Sequence, residues 1–340
     1  MTYGSWLSGL RFVIGHLSLV ICHFERCMTQ PSWIKGTVAA IVNPRSANGR
    51  TGRIWPRIHA ELRKVLGEVR VFHTQSPRHA IDLTAAALQA GHRTILAIGG
   101  DGTVNEVVNG FLSNGRAPVS EAVLGVIPQG TGSDFRRALR LPLDERAAIR
   151  AIQTADARPI DVMSVTYRTS EGVALSRYAV NVVSFGMGGA VAARVNRTSK
   201  ALGKVSFLIA TVATTLRFQG NTVSLRIDGA ELQNVSISNV AVGNGPYHGG
   251  GMWACPRAVM DDGVLEVTII ENMPAWEIFR DISYLYNGRI YEHPKVRYFR
   301  TTHLEATSDQ PTLLEIDGEP LGQLPLEIEV IPKAIRILRL

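Results

Sequence analysis

A glycine-rich turn that carries a single acid, Gly99-Gly100-Asp101-Gly102-Thr103, is the stretch of this sequence best suited to chemistry. It follows the apolar run 94–98, which predicts a buried strand, and it precedes residues 104–111, whose apolar spacing predicts a helix. Glycines let the backbone approach a ligand closely, and the free N–H groups at the start of a helix favour an anion. The pattern therefore predicts a phosphate site.

Asp101 brings a negative charge into the same turn. That charge fits beside a phosphate only if a divalent cation or a reacting hydroxyl is bound there as well. The alternative is an ordinary turn in which Asp101 caps the helix, a common role for aspartate at this position. Taken alone, the turn leaves both interpretations open.

The elements around this turn alternate between strand and helix. Strands are predicted at residues 38–42, 69–73, 94–98 and 123–127, and helices at residues 54–66, from Ser76-Pro77 to Ala90, and from Asp144 to about Ala155. This alternation predicts parallel strand–helix–strand units in a doubly wound sheet. Ligands of such sheets bind beyond the carboxyl ends of the strands, where Asn43, the Asp101 turn and a second glycine turn at 130–132 all fall.

The pattern changes after Pro159, where short strands with turn signals dominate. Helices interrupt them at about 190–218 and at 274–287. The fold class expected is α/β: a doubly wound, Rossmann-like parallel-sheet N-terminal domain at residues 37–157, followed by an antiparallel β-sandwich-like C-terminal domain at residues 158–340.

Residues 1–36 are predicted to be an N-terminal extension that need not be part of the fold. The apolar run from Leu10 to Phe24 contains Arg11, His16 and His23, and it is shorter than the roughly 20 apolar residues that span a bilayer. It also lacks the features of a signal peptide. Because Met28 resembles an alternative start, residues 1–27 are expected to be disordered or a weak interfacial helix.

Charge is distributed unevenly along the 340 residues. The formal net charge is +7, and the stretch between Gly172 and Ile227 holds seven basic residues but no Asp or Glu. Such a patch suits an anionic membrane surface or a nucleic acid, although a solvated basic face with no partner is the alternative. No recognised nucleic-acid motif accompanies it, so no nucleic acid is expected. The three cysteines have neither disulfide nor zinc spacing, which favours a reducing compartment.

Five motifs in order resemble one known family. They are Asn43-Pro44 with Ser46 and Gly49, the stretch Gly99–Gly110, the stretch Gly130–Phe135, Gly249–Met252 with Pro256-Arg257-Ala258 and Asp261–Leu265, and Ile316-Asp317-Gly318-Glu319-Pro320. Together they resemble the diacylglycerol kinase catalytic domain, and residues 37–340 are similar to the bacterial soluble lipid kinases related to diacylglycerol and sphingosine kinases. The glycine turn alone also occurs in NAD kinases.

The resemblance implies a role for each matching position. The ATP site would be lined by Asn43, Pro44, Arg45, Ser46, Ala47, Thr74, Gly99, Gly100, Asp101, Gly102, Thr103, Val104, Asn105, Glu106, Gly130 and Thr131. The base for the lipid hydroxyl would come from Glu319, with Asp317 as the second candidate, and Asp101 is the third acid of the expected catalytic set. Two positions depart from the family pattern, Ala47 where Gly is usual and Ser133 where Asn is usual.

A magnesium site is implied by the match of Asp262, with the backbone carbonyls of Val259 and Val264. A carboxylate with carbonyl oxygens and waters suits that hard cation. Asp262-Gly263 also fits a type I′ hairpin turn, and Asp317-Gly318 has the same ambiguity, with Glu319 then merely a surface strand residue.

The sequence thus predicts an ATP- and Mg²⁺-dependent lipid kinase of phospholipid biosynthesis, acting on a diacylglycerol-like or sphingoid hydroxyl. The alternatives are a soluble nucleotide (NAD) kinase and a catalytically silent lipid-binding regulator. The stretch from Lys200 to Phe218 combines lysines with an apolar body, which indicates either contact with anionic lipid or a core helix. We expect a cytoplasmic, peripherally membrane-associated protein and a possible homodimer.

Overall fold

The computed structural model describes residues 33–34, 36–112, 121–130, 134–197 and 211–340. Most of the predicted N-terminal extension lies outside these ranges, as do Thr131 and Ser133. Within the described part of that extension, Trp33 is buried and packs with Trp55 in an apolar cluster of the first domain.

The first domain is built on four parallel strands in the order β2–β1–β3–β4. Their bounds are β1 Val38–Val42, β2 Val69–His73, β3 Thr94–Gly99 and β4 Val123–Pro128. Every residue of β1, β3 and β4 is buried. That burial on both faces explains why these strands read as continuous apolar runs rather than alternating ones.

Helices cover both faces of this sheet. They are α1 Arg50–Leu66, α2 His79–Gln89, α3 Asp101–Phe111, α4 Asp134–Ala138 and α5 Glu145–Thr154. Alternate residues of β1 separate the two layers, because Ile41 packs in one cluster with α2 and α3 while Val42 packs in the other with α1 and α5.

Helix α2 begins at His79, so the start predicted at Ser76-Pro77 is wrong. Its N-cap residue, Arg78, has a left-handed φ of 68° and makes no side-chain cap. The cap comes from α3, where the Glu106 carboxylate accepts hydrogen bonds from the backbone N–H groups of Arg78 and Ala80 at 2.9 and 3.2 Å. A contact from a distant residue, Glu106, therefore caps α2 in place of the predicted local Ser76 cap.

The second domain is β-rich, as predicted, and has its own apolar core. Its strands are β5 Asp156–Arg168, β6 Ala174–Ala179, β7 Val182–Gly186, β8 Asn221–Ile227, β9 Ala230–Gly243, β10 Tyr247–His248, β11 Met252–Trp253, β12 Leu265–Glu271, β13 Val296–Thr301, β14 His303–Thr307, β15 Leu313–Ile316 and β16 Glu319–Arg339. Its helices are α6 Met187–Arg197, α7 Ala275–Asp281 and α8 Ser283–Tyr286, with a 3₁₀ turn at Ile290–Glu292.

Of the helix predicted at 190–218, the structure describes α6 and a helical segment at 211–215. Residues 198–210 lie outside the described ranges. Among the residues that are described, no helix is long and apolar enough to cross a bilayer.

One long strand joins the two domains. Strand β16 pairs antiparallel with β5 over most of its length, and near its end Arg336 and Ile337 pair in parallel with Val123 and Leu124 of β4. The hydrogen-bonded sheet therefore continues from one domain into the other. This continuity fixes the start of β16, at Glu319, relative to the glycine turn that follows β3.

Candidate active site

The glycine turn lies where β3 ends and α3 begins. A Cβ atom added at Gly100 would lie 3.3 Å from the Gly130 Cα atom, so the backbones of the two glycine turns are in close contact. The Asn43 side chain, beyond β1, donates a hydrogen bond of 3.0 Å to the Thr103 hydroxyl. The turns predicted to meet at the carboxyl edge of the sheet do lie together.

The first loop is shaped by three successive left-handed residues, Ala47, Asn48 and Gly49, with φ of 49°, 55° and 79°. The loop is closed by the Ser46 hydroxyl, which donates to the Asn43 carbonyl at 3.0 Å. A left-handed backbone explains why glycine is usual at the Ala47 position, since a Cβ atom there costs roughly 1–2 kcal/mol.

Two further residues of the predicted nucleotide set flank this loop. The Pro44 carbonyl accepts a hydrogen bond of 3.1 Å from Gly52 N–H, which ties the loop to α1. Thr74 is held beyond β2 by a hydrogen bond of 2.9 Å from its N–H to the Val42 carbonyl.

Asp101 is the first residue of α3, but its carboxylate is directed to another helix. One oxygen accepts a hydrogen bond of 3.2 Å from Asp134 N–H, at the first residue of α4. Burial, reinforced by the Asp134 charge, raises the pKa of Asp101 to about 6. The capping alternative is therefore wrong for α3; the carboxylate instead accepts from the start of α4, and its negative charge is unfavourable there without a cation or proton nearby.

Asp317 is buried, and its carboxylate accepts four hydrogen bonds. The donors are the side-chain amide of Asn105 and the backbone N–H groups of Val180, Asn181 and Val182, at 2.8 to 3.1 Å. Burial raises the pKa of Asp317, and these hydrogen bonds oppose that shift. With two donors on each oxygen the carboxylate has no lone pair to spare, so it is poorly placed to accept a substrate proton.

Asp317 and Gly318 form the tight turn between β15 and β16. Both have positive φ, 48° and 86°, as a two-residue type I′ hairpin requires. The hairpin interpretation is therefore correct at this turn, but it does not make Glu319 a mere surface residue.

Glu319 lies directly on the glycine turn. A Cβ atom added at Gly102 would be only 2.5 Å from Glu319 Oε1. The other carboxylate oxygen, Oε2, accepts a hydrogen bond of 3.1 Å from Arg177, while 34% of the side chain stays exposed. The acid predicted from the end of the chain is thus held against the turn predicted near its start, with about a third of its side chain exposed.

Arg177 and Asn105 connect these acids beneath the turn. Both side chains are buried, and Arg177 Nε donates a hydrogen bond of 2.8 Å to Asn105 Oδ1. Asn105 therefore orients Arg177 on one side and Asp317 on the other. Two neighbouring residues of the predicted nucleotide set also have side chains engaged within the protein: Val104 is buried in the core, and the Glu106 carboxylate caps α2.

Two family models match most of the chain. Residues 37–165 match the diacylglycerol kinase catalytic domain, and residues 181–339 match the YegS C-terminal NAD kinase beta sandwich-like domain. A Xanthomonas oryzae pv. oryzae protein named "Probable lipid kinase YegS-like" is 30% identical over 291 residues, covering 82% of this chain and 91% of that protein. The chain belongs to the YegS-like lipid kinase family.

Other relatives agree with that assignment. A diacylglycerol kinase of Staphylococcus carnosus is 29% identical over 289 residues, covering 84% of this chain and 89% of that protein. A crystal structure of a Bacillus anthracis diacylglycerol kinase has a TM-score of 0.66 at 21% identity, over 89% of this chain and 97% of that one. Family membership supports a kinase-type phosphotransferase.

The structure adds site residues that sequence reasoning missed. Asp134 is held by Arg137 at 2.6 Å and accepts a hydrogen bond of 2.7 Å from Gly250 N–H, so it joins the two domains across the mouth of the site. Its only sequence signal is its place in the Gly130–Phe135 motif. Arg177 carries no local signal, because nothing in its strand indicates that it will meet Asn105 and Glu319.

Glu315 is a second missed acid. It is fully buried two residues before Asp317, and its carboxylate accepts hydrogen bonds from the Ser184 hydroxyl at 2.8 Å and from Gly318 N–H at 2.5 Å. Burial raises its pKa, and the nearby His248 opposes the shift. The contact with Gly318 supports the turn that presents Glu319.

At the predicted magnesium position, Asp262 is engaged by its own protein. One oxygen accepts a hydrogen bond of 3.1 Å from Val264 N–H, and the other pairs with Arg300. A cation would compete with that guanidinium. The hairpin alternative is wrong here: of the pair, only Gly263 has positive φ, and the following strand β12 pairs with β9 and β13.

Proposed function

We propose that the protein is an ATP-dependent lipid kinase that transfers the γ-phosphate to a hydroxyl of a membrane lipid, diacylglycerol-like or sphingoid. The observation that carries the proposal is the contact between Glu319 Oε1 and the Gly102 position of the glycine turn. It places a partly exposed carboxylate of one domain beside the predicted phosphate site of the other, as transfer to a hydroxyl requires.

The phosphates of ATP would bind the backbone of the converging turns. The start of α3 presents backbone N–H groups of the kind that bind anions, and no side chain at Gly99, Gly100 or Gly102 intervenes. The donor set therefore fits a polyphosphate, with Asn43, Thr103 and Gly130 at its border.

The residues also fit a magnesium ion carried with the nucleotide. Asp101 is buried as an acid whose pKa is raised to about 6, so a nearby cation would favour its charged form. Bound Mg²⁺ would supply charge neutralisation to the phosphoryl oxygens. Asp262 with the carbonyls of Val259 and Val264 stays a second candidate, where the ion must displace Arg300.

Glu319 is the proposed proton acceptor. As the lipid hydroxyl oxygen bonds to the γ-phosphorus and the bond to the leaving ADP breaks, the hydroxyl proton passes to the Glu319 carboxylate. Asp317 is assigned to positioning, because its four hydrogen bonds leave it no acceptor site. Arg177 orients the Glu319 carboxylate through the hydrogen bond to Oε2.

The test is transfer of radiolabelled γ-phosphate from ATP into an organic-extractable product. The protein is incubated with Mg²⁺, detergent-dispersed bacterial lipid extract and a panel of pure diacylglycerols and sphingoid bases, with NAD as a parallel acceptor. Labelled lipid is expected, and mass identification of the product would name the substrate. Label in NAD alone, or in no lipid while a control lipid kinase is active, would contradict the proposal.

A further inference from the structure

Helices α7 and α8 carry an unusual exposed surface. Trp276 and Tyr286 are 63% and 53% exposed, and Phe279 and Ile282 between them are also exposed. Their spacing of three, three and four residues puts them on one side of the helical segment. We call these four residues the aromatic face. Contiguous exposed side chains of this size mark an interaction site more often than chance.

The acids of the same segment are directed away from this face. Glu277 is buried and pairs with Lys295 at 2.6 Å, and Asp281 is held by Arg280 at 2.6 Å and by His293 at 3.2 Å. These ion pairs hold the segment on the side opposite the aromatic face, and they neutralise the charges of Glu277 and Asp281. On the outer side, the Arg280 guanidinium lies 5.1 Å from the centre of the Trp276 ring.

The aromatic face is continuous with the mouth of the candidate active site. Helix α8 packs against β11, and a Cβ atom at Gly288 would contact the Trp253 ring at 3.8 Å. The loop that precedes Trp253 contains Gly250, whose N–H donates to Asp134. A ligand that lies on the aromatic face is therefore next to the loop that closes the site.

The opposite flank of the face carries an exposed arginine. The carbonyl of Gln219 accepts a hydrogen bond of 3.4 Å from the Asn272 side chain, which brings the segment containing Leu216 and Arg217 close to the start of α7. Leu216 is 63% exposed and Arg217 is exposed. This segment belongs to the acid-free stretch between Gly172 and Ile227, so Arg217 has no acidic neighbour in the sequence.

We propose that the aromatic face docks on an anionic lipid bilayer and inserts Trp276 and its neighbours at the headgroup level. Trp and Tyr suit the boundary between water and acyl chains, and the exposed Arg217 beside them suits an anionic headgroup. A second copy of the chain is the other occupant that this face could take, and the experiment below distinguishes it from a bilayer. The inference rests on the proposed function, for which it supplies the route by which a membrane lipid reaches Glu319.

The experiment is co-sedimentation with vesicles of phosphatidylcholine and phosphatidylglycerol, without ATP, combined with tryptophan fluorescence. Wild type is expected to bind with a blue shift of its emission and to bind pure phosphatidylcholine more weakly. The double variant Trp276→Ser/Phe279→Ser should lose binding by about tenfold or more, since two large apolar side chains that would enter the bilayer become small and polar. Leu143→Ser, at a side chain that is 65% exposed elsewhere, is the matched control and should bind as wild type.

Two results would overturn the docking surface. One is a double variant that binds anionic vesicles as tightly as wild type. The other is a wild-type dimer, seen by light scattering, that the double variant converts to monomer. Melting temperatures of both variants should match wild type because the substituted side chains are exposed.

The proposed function can fail independently. Vesicle binding without phosphorylation of any lipid would contradict the kinase and leave the surface intact. Phosphorylation of detergent-dispersed lipid by a protein that does not bind vesicles would contradict the surface and leave the kinase intact.

Discussion

The Asp317 carboxylate accepts a hydrogen bond of 2.8 Å from the Asn105 side-chain amide, across 212 positions of the chain. Asn105 lies in α3, directly after the glycine turn, and Asp317 begins the hairpin that carries Glu319. The bond therefore fixes the distance between the predicted phosphate site and the predicted base. Accuracy of this kind is what phosphoryl transfer needs from a protein.

Replacing Asn105 by Ala should destabilise the protein. The change leaves the buried Arg177 Nε without its acceptor and removes one of four donors from Asp317. Hydrogen bonds to buried charged groups contribute about 1.5–3 kcal/mol, so a fall of that size is expected in the free energy of unfolding, measured in urea. Gln310→Ala, at an exposed position, should stay within about 0.5 kcal/mol of wild type. An Asn105→Ala protein as stable as wild type would mean that this bridge does not hold the domains.

Gly102→Ala should lower the rate of transfer without lowering stability. The new methyl group would meet Glu319 Oε1 at 2.5 Å and displace it, whereas alanine is favoured over glycine inside a helix. A displacement of about 1 Å can cost on the order of 100-fold in rate. Steady-state assays of lipid phosphorylation would measure this fall in kcat.

A double-mutant comparison isolates the contact. In a Glu319→Ala background, Gly102→Ala should have little further effect, because the displaced carboxylate is already gone. Equal losses in both backgrounds would show that the methyl group acts on the nucleotide rather than on Glu319.

Asp101→Asn should give a protein that is more stable at neutral pH and less active. The pKa of Asp101 is raised from 3.8 to about 6 in the folded protein, chiefly by burial. A raised folded pKa stabilises the fold fully below about pH 4, and that contribution is lost as pH rises through about 6. Relative to wild type, the variant should gain up to about 3 kcal/mol at pH 7.5 and little near pH 4.

Urea unfolding at several pH values would measure this difference, with kcat measured in parallel. A variant that is destabilised equally at every pH would show that Asp101 acts only as the cap of α4. Retained activity would remove it from the catalytic set.

Arg177→Lys should slow transfer while ATP binding is unchanged. A lysine ammonium cannot reproduce the planar fork that reaches both Asn105 and Glu319. We expect kcat to fall by roughly tenfold or more and the dissociation constant of ATP, measured by calorimetry, to stay the same. Arg226→Lys, which changes an exposed pair with Glu305, is the matched control and should be neutral. A large change in ATP affinity for Arg177→Lys would place Arg177 in the nucleotide site instead.

Much of the fold could be predicted because local patterns dominate it. Continuous apolar runs predict the buried strands β1, β3 and β4, and the glycine turn after β3 identifies the edge of the sheet at which ligands bind. The start of α2 could not be predicted, because its cap is Glu106 of another helix. Likewise no pattern indicates that Trp33 packs with Trp55 in the core.

The site shows the same division. Asp101, Asp317 and Glu319 were found from motifs, but their environments depend on contacts between residues far apart in the chain. Four donors converge on the buried Asp317 carboxylate, whereas Arg177 donates to one oxygen of Glu319, whose side chain is 34% exposed. Sequence left the choice between these two acids open, and burial and hydrogen bonding favour Glu319.

The measurement that tests the central claim most directly compares wild type with Glu319→Gln and Asp317→Asn for kcat of lipid phosphorylation and for ATP affinity. Glutamine keeps the shape of Glu319 but cannot accept a proton, so kcat should fall by about 10²- to 10⁴-fold with the ATP dissociation constant unchanged. For Asp317→Asn, whose amide would face N–H donors, loss of activity should come with loss of stability. A Glu319→Gln enzyme that phosphorylates lipid at the wild-type rate would contradict the account.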